Sequence, residues 1–127
     1  MLFGIGIDTI EVPRIARSIE TYGDQFVRRI YSEEEIRYCT GRPHAAEHFA
    51  ARFAAKEAYA KALGTGVRRG FVWRDIAVLK ERSGRPYIEL RGKMPERALT
   101  IIGKEPIIKL SITHTKEIAE AIVTIEV

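Results

Sequence analysis

Four charged side chains stand where their spacing permits chemistry. Asp8 closes the run GIGID, and Lys56, Glu57 and Lys61 rise from the alanine-rich run FAARFAAKEAYAK, Phe49 to Lys61. Glu57 and Lys61 are four apart, so a helix puts them on one face. Two readings stand side by side for this pair. It is a surface ion pair, worth a few tenths of a kcal/mol, or a metal ligand beside a phosphate clamp. Asp8 has the same two readings, a strand-end turn residue or a holder of metal. The pattern Gly4-x-Gly6-x-Asp8 resembles the opening of a dinucleotide fingerprint and fails as one. The third glycine is missing, and an acid occupies the place where a pyrophosphate needs positive helix-end dipoles. An acid there repels phosphate unless a cation lies between. His44 and His48 have a zinc-like spacing, but no third ligand sits at a suggestive distance, so zinc is not expected. His114 alone reads as a strand-end imidazole. Cys39 has no neighbour that argues for a nucleophile, and no triad is present.

Such groups need rigid carriers. Seven alanines, Ala50, Ala51, Ala54, Ala55, Ala58, Ala60 and Ala62, make this stretch the strongest helix of the chain. It is expected over roughly 44 to 63, with Gly64 as a left-handed C-cap. Small side chains let other backbone come close. Phe3 to Ile10 alternates, with Phe3, Ile5 and Ile7 on one side and Gly4, Gly6 and Asp8 on the other. That marks a strand whose glycine face is bare. Pro13 opens a short helix with Ile15 and Ile19 inward and Arg14 and Arg17 outward, broken at Tyr22-Gly23-Asp24. Phe26 to Ile30 follows. Ser32 and Glu35 then form a capping-box pair ahead of a helix of about two turns, ending near Gly41-Arg42-Pro43. From Trp73 the period becomes two. Ile76 and Val78 oppose Ala77 and Leu79, Ser83 to Pro86 turns the chain, and Tyr87 to Leu90 returns as the second strand of a hairpin. Pro95 starts a helix to Ile102, stopped by Gly103. Ile107 to Thr115 and Ile118 to Val127 form a last pair of strands. The layout is α+β, a mostly antiparallel sheet packed against helices, and residues 1–127 read as a single domain.

The totals exclude several classes. The chain has 127 residues, 46% hydrophobic and 30% charged, with net charge +4 from 21 basic and 17 acidic residues. That permits an anionic partner without demanding one. One cysteine allows no internal disulfide, and a reducing, cytoplasmic setting is expected. No signal peptide is expected, because Asp8 interrupts the apolar start. No apolar run approaches the ~20 residues of a membrane span. The N-terminal arginines Arg14, Arg17, Arg28 and Arg29 suit an acidic helix. No aromatic–basic or recognition-helix signature appears, so no nucleic acid is expected.

Together, GIGIDTIEVPRI, RFAAKEAYAKALGTG, SGRPYI and LSITHTKEIAEAIV resemble four motifs of one family in order and spacing. The family is the short-type 4′-phosphopantetheinyl transferases, the holo-[acyl-carrier-protein] synthases of fatty acid biosynthesis. The resemblance implies the fold of that family and transfer of 4′-phosphopantetheine from coenzyme A to a serine of apo acyl carrier protein. It also implies a magnesium requirement and a homotrimer with sites at subunit junctions. By position it makes Asp8 and Glu57 metal-binding carboxylates, and Asp8, Glu57 and Lys61 the catalytic set, with Lys61 near the pyrophosphate. Arg52, Lys61, Gly66, Pro86 and His114 are implied to line the coenzyme A site. Arg14, Phe26 and Arg29 fall in the region implied to dock the carrier protein.

The chemistry fits these residue types. Magnesium takes a few carboxylates together with phosphate oxygens and water. Asp8 and Glu57 supply two oxygens if the helix crosses the sheet edge, and the bare glycine face beside Asp8 is expected to leave room for the pyrophosphate. The nucleophile belongs to the carrier protein, and Glu57, or a water it orients, is the expected base. Two other readings stand beside this one. The first is a non-catalytic oligomeric module that binds a nucleotide through basic loops. The second is a basic nucleic-acid module, which would show a steep salt slope on DNA or RNA.

Overall fold

A computed structural model describes residues 1–127. Strand β1 (Leu2–Glu11) leads into helices α1 (Val12–Tyr22), α2 (Asp24–Ile30), α3 (Glu33–Thr40) and α4 (Ala45–Leu63). A short 3-10 turn at Trp73–Asp75 precedes the hairpin of β2 (Ile76–Lys80) and β3 (Pro86–Leu90). Helix α5 (Met94–Ile102) and the hairpin of β4 (Ile107–His114) and β5 (Ile118–Glu126) complete the order. The fold is α+β and every strand pairing is antiparallel. The strands form two sheets rather than one: β1-β5-β4, and a separate β2-β3 ribbon.

Helix α4 lies along β1 and β5, and the reason is steric. A Cβ on Gly4 would sit 1.9 Å from the Ala62 carbonyl oxygen, and one on Gly6 would sit 2.0 Å from that of Ala58. Ala54, Ala55, Ala58 and Ala62 of α4 are buried, and so are Ala119, Ala121, Val123 and Ile125 of β5, which continue the glycine face of β1 across the sheet. Small residues on both elements thus let a helix and a strand approach backbone to backbone. This corrects one expectation: the glycine face of β1 is filled by α4 and holds no space for a pyrophosphate. It also inverts the usual orientation of the strand. Phe3, Ile5 and Ile7, 40%, 57% and 55% exposed, point away from the core.

The helix ends follow local chemistry. Gly64 adopts the left-handed conformation at the C-cap of α4, with φ 90°. His44, at its N-cap, has φ 58° and is the one non-glycine residue with positive φ. The capping box of α3 is present. Glu35 N–H donates to Ser32 Oγ at 3.3 Å, and Ser32 N–H donates to Glu35 Oε1 at 2.7 Å.

Glu35 does more than cap. Its Oε1 accepts from Lys56 Nζ at 2.9 Å and its Oε2 from Val78 N–H at 3.0 Å. Lys56 Nζ also donates to the carbonyls of Trp73 (3.0 Å) and Ile76 (2.6 Å). Both side chains are fully buried. Burial pulls the Lys56 ammonium below its ordinary pKa, while the Glu35 carboxylate pulls it back up. This clasp ties α3, α4 and β2 together and sets the rotation of α4, hence the direction in which Glu57 and Arg52 point.

Candidate active site

The residues singled out in the sequence fall at two places along α4. At the first, β1 brings Asp8 to the side of the helix. Lys61 Nζ donates to Asp8 Oδ1 at 3.0 Å and to the Ile7 carbonyl at 2.9 Å. Lys61 therefore pairs across to the strand and not with Glu57 on its own helix. Glu57 is half-buried, and its carboxyl is held above its ordinary pKa. Burial is the largest cause and the negative charge of Asp8 the next; Lys61 and Arg14 pull the other way. Asp8, Glu57, Lys61 and Arg14 are thus within electrostatic reach of one another. Two carboxylates and two cations from β1, α1 and α4 meet on one surface.

At the second place, nearer the start of α4, a cleft of about 150 Å³ is lined by His48, Arg52, Lys80, Gly84, Pro86 and His114, among others. Arg52 is only 4% exposed. Its NH1 donates to the His48 carbonyl at 3.3 Å, while its Nε is buried without any partner. His114 Nδ1 lies 3.0 Å from Glu47 Oε1, and the His48 and His114 rings meet edge to face at 5.0 Å. Burial, followed by the charges of His114, Arg52, Arg42 and Lys80, pulls His48 below its ordinary pKa. The cleft is electropositive.

Of the residues expected to bind coenzyme A, Arg52, Pro86 and His114 share this cleft. Lys61 does not, since nine residues of helix carry it about 13 Å further along the axis. Gly66 lies beyond the end of α4, with φ 64° and its N–H donating to the Ala60 carbonyl at 3.1 Å. Arg14 and Arg29 are exposed on α1 and α2. Phe26 is half-buried, its ring edge-on to Tyr31 at 6.3 Å, so it serves the core as well as the surface. Burial pushes the Cys39 thiol up to about 12, in keeping with an inert packing residue.

Comparison with known proteins decides the family. Residues 4–122 match the family described as the 4′-phosphopantetheinyl transferase superfamily. A curated relative from Koribacter versatilis (strain Ellin345), named "Holo-[acyl-carrier-protein] synthase", is 49% identical over 126 residues, covering 99% of this chain and 99% of that protein. The chain belongs to the 4′-phosphopantetheinyl transferase superfamily. A crystal structure of a holo-(acyl-carrier-protein) synthase from Bacillus anthracis str. Ames, described as in complex with CoA (3′,5′-ADP), superposes with TM-score 0.80 at 37% identity. That match covers 99% of this chain and 97% of the other. The holo-[acyl-carrier-protein] synthase of Neisseria meningitidis superposes with TM-score 0.87 at 32% identity over 100% of both chains.

Around the cleft the sequence did not single out Tyr38, Arg42 or Lys80, nor the bond between Lys56 and Glu35, and it raised His48 only as half of a rejected zinc pair. A partial signal existed for His48. With Arg52 it makes an i, i+4 pair, which puts both on one helix face. Lys56 stood out as a long charged residue in an alanine field, but its partner lies 21 positions away, and nothing local names it.

Proposed function

We propose that this chain transfers the 4′-phosphopantetheine group of coenzyme A to a serine of apo acyl carrier protein and releases adenosine 3′,5′-bisphosphate. Membership of the superfamily, the names of the relatives and the CoA-bound homologue support it. One observation of this chain carries it: Asp8 and Lys61, 53 positions apart, are bonded to each other, with Glu57 close enough to feel the charge of Asp8.

The two carboxylates fit a divalent cation. Burial first and the charge of Asp8 next hold the Glu57 carboxyl above its ordinary value, and Lys61 and Arg14 offset this only in part. The chain gathers no cage of three or more His, Cys, Asp or Glu side chains. Two carboxylates with open coordination suit magnesium, which keeps water and substrate oxygens in its shell. Asp8 and Glu57 would hold that magnesium. Bound there, it supplies charge neutralisation to the pyrophosphate. Lys61, side chain 49% exposed, is long enough to turn from Asp8 to a phosphate oxygen. In the transfer, the carrier's serine oxygen forms a bond to the phosphorus that bears pantetheine. The bond from that phosphorus to the bridging oxygen breaks, and the bisphosphate leaves with the electron pair. Glu57, or a water it orients, accepts the serine proton.

Arg14, beside Glu57, together with Arg29 and the exposed edge of Phe26, offers a basic surface to an acidic carrier protein. Residues from Ile10 to Ile125 contribute to one hydrophobic core, in support of one transferase domain over residues 1–127. The outward apolar side chains Phe3, Ile5, Ile7 and Ile122 support a homotrimer. So does the separation of the Arg52 cleft from the Asp8 site, because a second copy would bring the two together. No helix is long and apolar enough to cross a membrane, which agrees with a cytoplasmic reaction. The deciding test is mass spectrometry of apo carrier protein incubated with this chain, coenzyme A and magnesium. A gain of one phosphopantetheine unit, abolished by Asp8→Ala, is expected; no gain with the unaltered chain overturns the reading.

A further inference from the structure

Charges are few and unevenly placed on the side of the β1-β5-β4 sheet that faces away from α4. Its acids are Glu11, Glu120 and Glu126, and its one cation is Lys109. Asp8, bonded to Lys61, lies on the other side, toward the helix. Glu11 and Glu126 stand at the two ends of the face, Glu126 with Lys109 Nζ at 3.4 Å. Glu120 stands within it, on the central strand, with Thr9 and Thr113 opposite in register. Thr9 Oγ1 donates to Glu120 Oε2 at 3.1 Å, and no cation of the chain lies within ion-pair distance. Beside it is a hollow of about 220 Å³, lined by Glu120, Ser111, Thr113, Ile7 and Ile122, among others. The walls are of three kinds: a carboxylate, hydroxyls and branched aliphatic chains. That combination suits a lysine side chain. Its methylene stem packs on apolar surface while its ammonium donates to a carboxylate and to hydroxyl oxygens.

Ile7 and Ile122 belong to the face that a second copy would cover in the assembly proposed above. Covering an unpaired carboxylate is costly unless the covering surface brings a cation. The face itself carries one, Lys109, but within a single chain it is out of reach. Thr113 is opposite Glu120, and Lys109 lies four residues further along β4, about 13 Å away. The bond from Lys109 to Glu126 is long, and the two side chains are 56% and 38% exposed. Such a surface pair is worth little and yields to a better partner. A head-to-tail interface joins unlike patches of the same surface, so it can set Lys109 of one copy against Glu120 of the next.

We propose that the Glu120 hollow is the seat of the partner subunit's Lys109, and that this ion pair selects the arrangement in which copies of the chain close into a ring. The inference rests on the homotrimer reading above and adds what that reading leaves open: the contact that picks one packing among those an apolar face permits. Apolar burial is non-directional. A charge matched to one hollow is not, and like charges placed opposite one another disfavour the wrong arrangements. Glu120 and Lys109 touch no substrate in this scheme.

Sedimentation equilibrium of the full chain over a range of concentrations tests it. The unaltered chain is expected to form trimers. Glu120→Lys and Lys109→Glu each place like charges at the hollow, and each should weaken assembly at least about tenfold. The double variant, Glu120→Lys with Lys109→Glu, restores opposite charges with their places exchanged. It should return to within about threefold of the unaltered chain, the non-additivity of a direct pair. Neither side chain is buried in the single chain, so far-ultraviolet circular dichroism should be the same for all four proteins. Single variants that assemble like the unaltered chain, or a double variant no better than the weaker single, overturn the proposal and leave the trimer standing. An unaltered chain that stays monomeric at every concentration overturns the trimer reading and this inference with it.

Discussion

At Glu57 two physical effects act in the same direction. Partial burial and the charge of Asp8 both favour the protonated carboxyl, and Lys61 and Arg14 offset them only in part. The folded-state pKa is therefore raised. A raised carboxyl contributes stability that is fully present below the ordinary carboxylate pKa and lost as pH rises through the raised value. At neutral pH the charged Glu57 thus weakens the fold, and a cation bound beside it would relieve that tension. Glu57→Gln keeps the shape and removes the charge. Without magnesium, its Tm at neutral pH should exceed that of the unaltered chain, and the difference should shrink as pH falls below the carboxylate range. Added magnesium should raise the Tm of the unaltered chain and leave the variant nearly unmoved. Phosphopantetheine transfer by the variant should drop about 10²- to 10⁴-fold through loss of the proton acceptor. Differential scanning calorimetry with and without magnesium, beside single-turnover transfer, reads both effects. An unchanged transfer rate rules out Glu57 as the base.

Helix α4 supplies Arg52 to one site and Glu57 and Lys61 to the other, so its rotation about its own axis matters as much as its position. The buried Lys56–Glu35 pair fixes that rotation by joining α4 to α3 and, through Val78 N–H and the Trp73 and Ile76 carbonyls, to the β2 segment. Removing one partner of such a pair leaves a buried charge uncompensated, at a cost of about 3–5 kcal/mol. Lys56→Met should destabilise the chain by that amount in urea unfolding. Glu35→Gln preserves the capping box, since glutamine also serves at N3, but it leaves the buried Lys56 ammonium without its counter-charge and should cost a similar amount. The double variant should cost clearly less than the sum of the singles; additivity within about 0.5 kcal/mol would show that the two side chains do not act as a unit. This clasp also marks where sequence reading stops. The alanines, Gly64, the Ser32–Glu35 box and both hairpins were legible because each is written within a few neighbouring residues. Lys56 and Glu35 were visible, the one as an oddity and the other as a cap, but their meeting is a tertiary event. The same holds for Lys61. Local spacing offers it Glu57, and the fold gives it Asp8 instead, because the Gly4 and Gly6 gap lets β1 come within reach of the helix. Tyr38, Arg42 and Lys80 come from α3, the loop after it and β2, and no spacing rule connects them.

The molecule as a whole presents a sheet with its apolar side outward. Phe3, Ile5 and Ile7 of β1 and Ile122 of β5, paired in register with Ile7, share the face opposite α4. Alternation alone marked the strand and left open which side faces in; the answer lies in α4, whose close approach only glycine permits. A contiguous exposed apolar face of this kind marks an interaction surface. In a closed ring of three copies with head-to-tail interfaces, it would set the Asp8, Glu57 and Lys61 group of one copy beside the Arg52 and His114 cleft of the next. That arrangement makes a demanding prediction. Asp8→Ala and Arg52→Gln should each be inactive alone, since each damages every site in its own ring. Mixed at equal amounts and allowed to exchange subunits, they should regain activity. About one interface in four then joins an intact Asp8 side to an intact Arg52 side, by the combinatorics of a ring with head-to-tail contacts. Transfer to apo carrier protein, followed by mass spectrometry, should approach a quarter of the unaltered rate. Placing Ile7→Glu in both partners should abolish the recovery and give a single-chain mass by light scattering, because a charge would then face the apolar contact. Two inactive variants that stay inactive after proven exchange would mean that each copy carries its own complete site, and the Arg52 cleft would then have to serve the Asp8 group of the same chain.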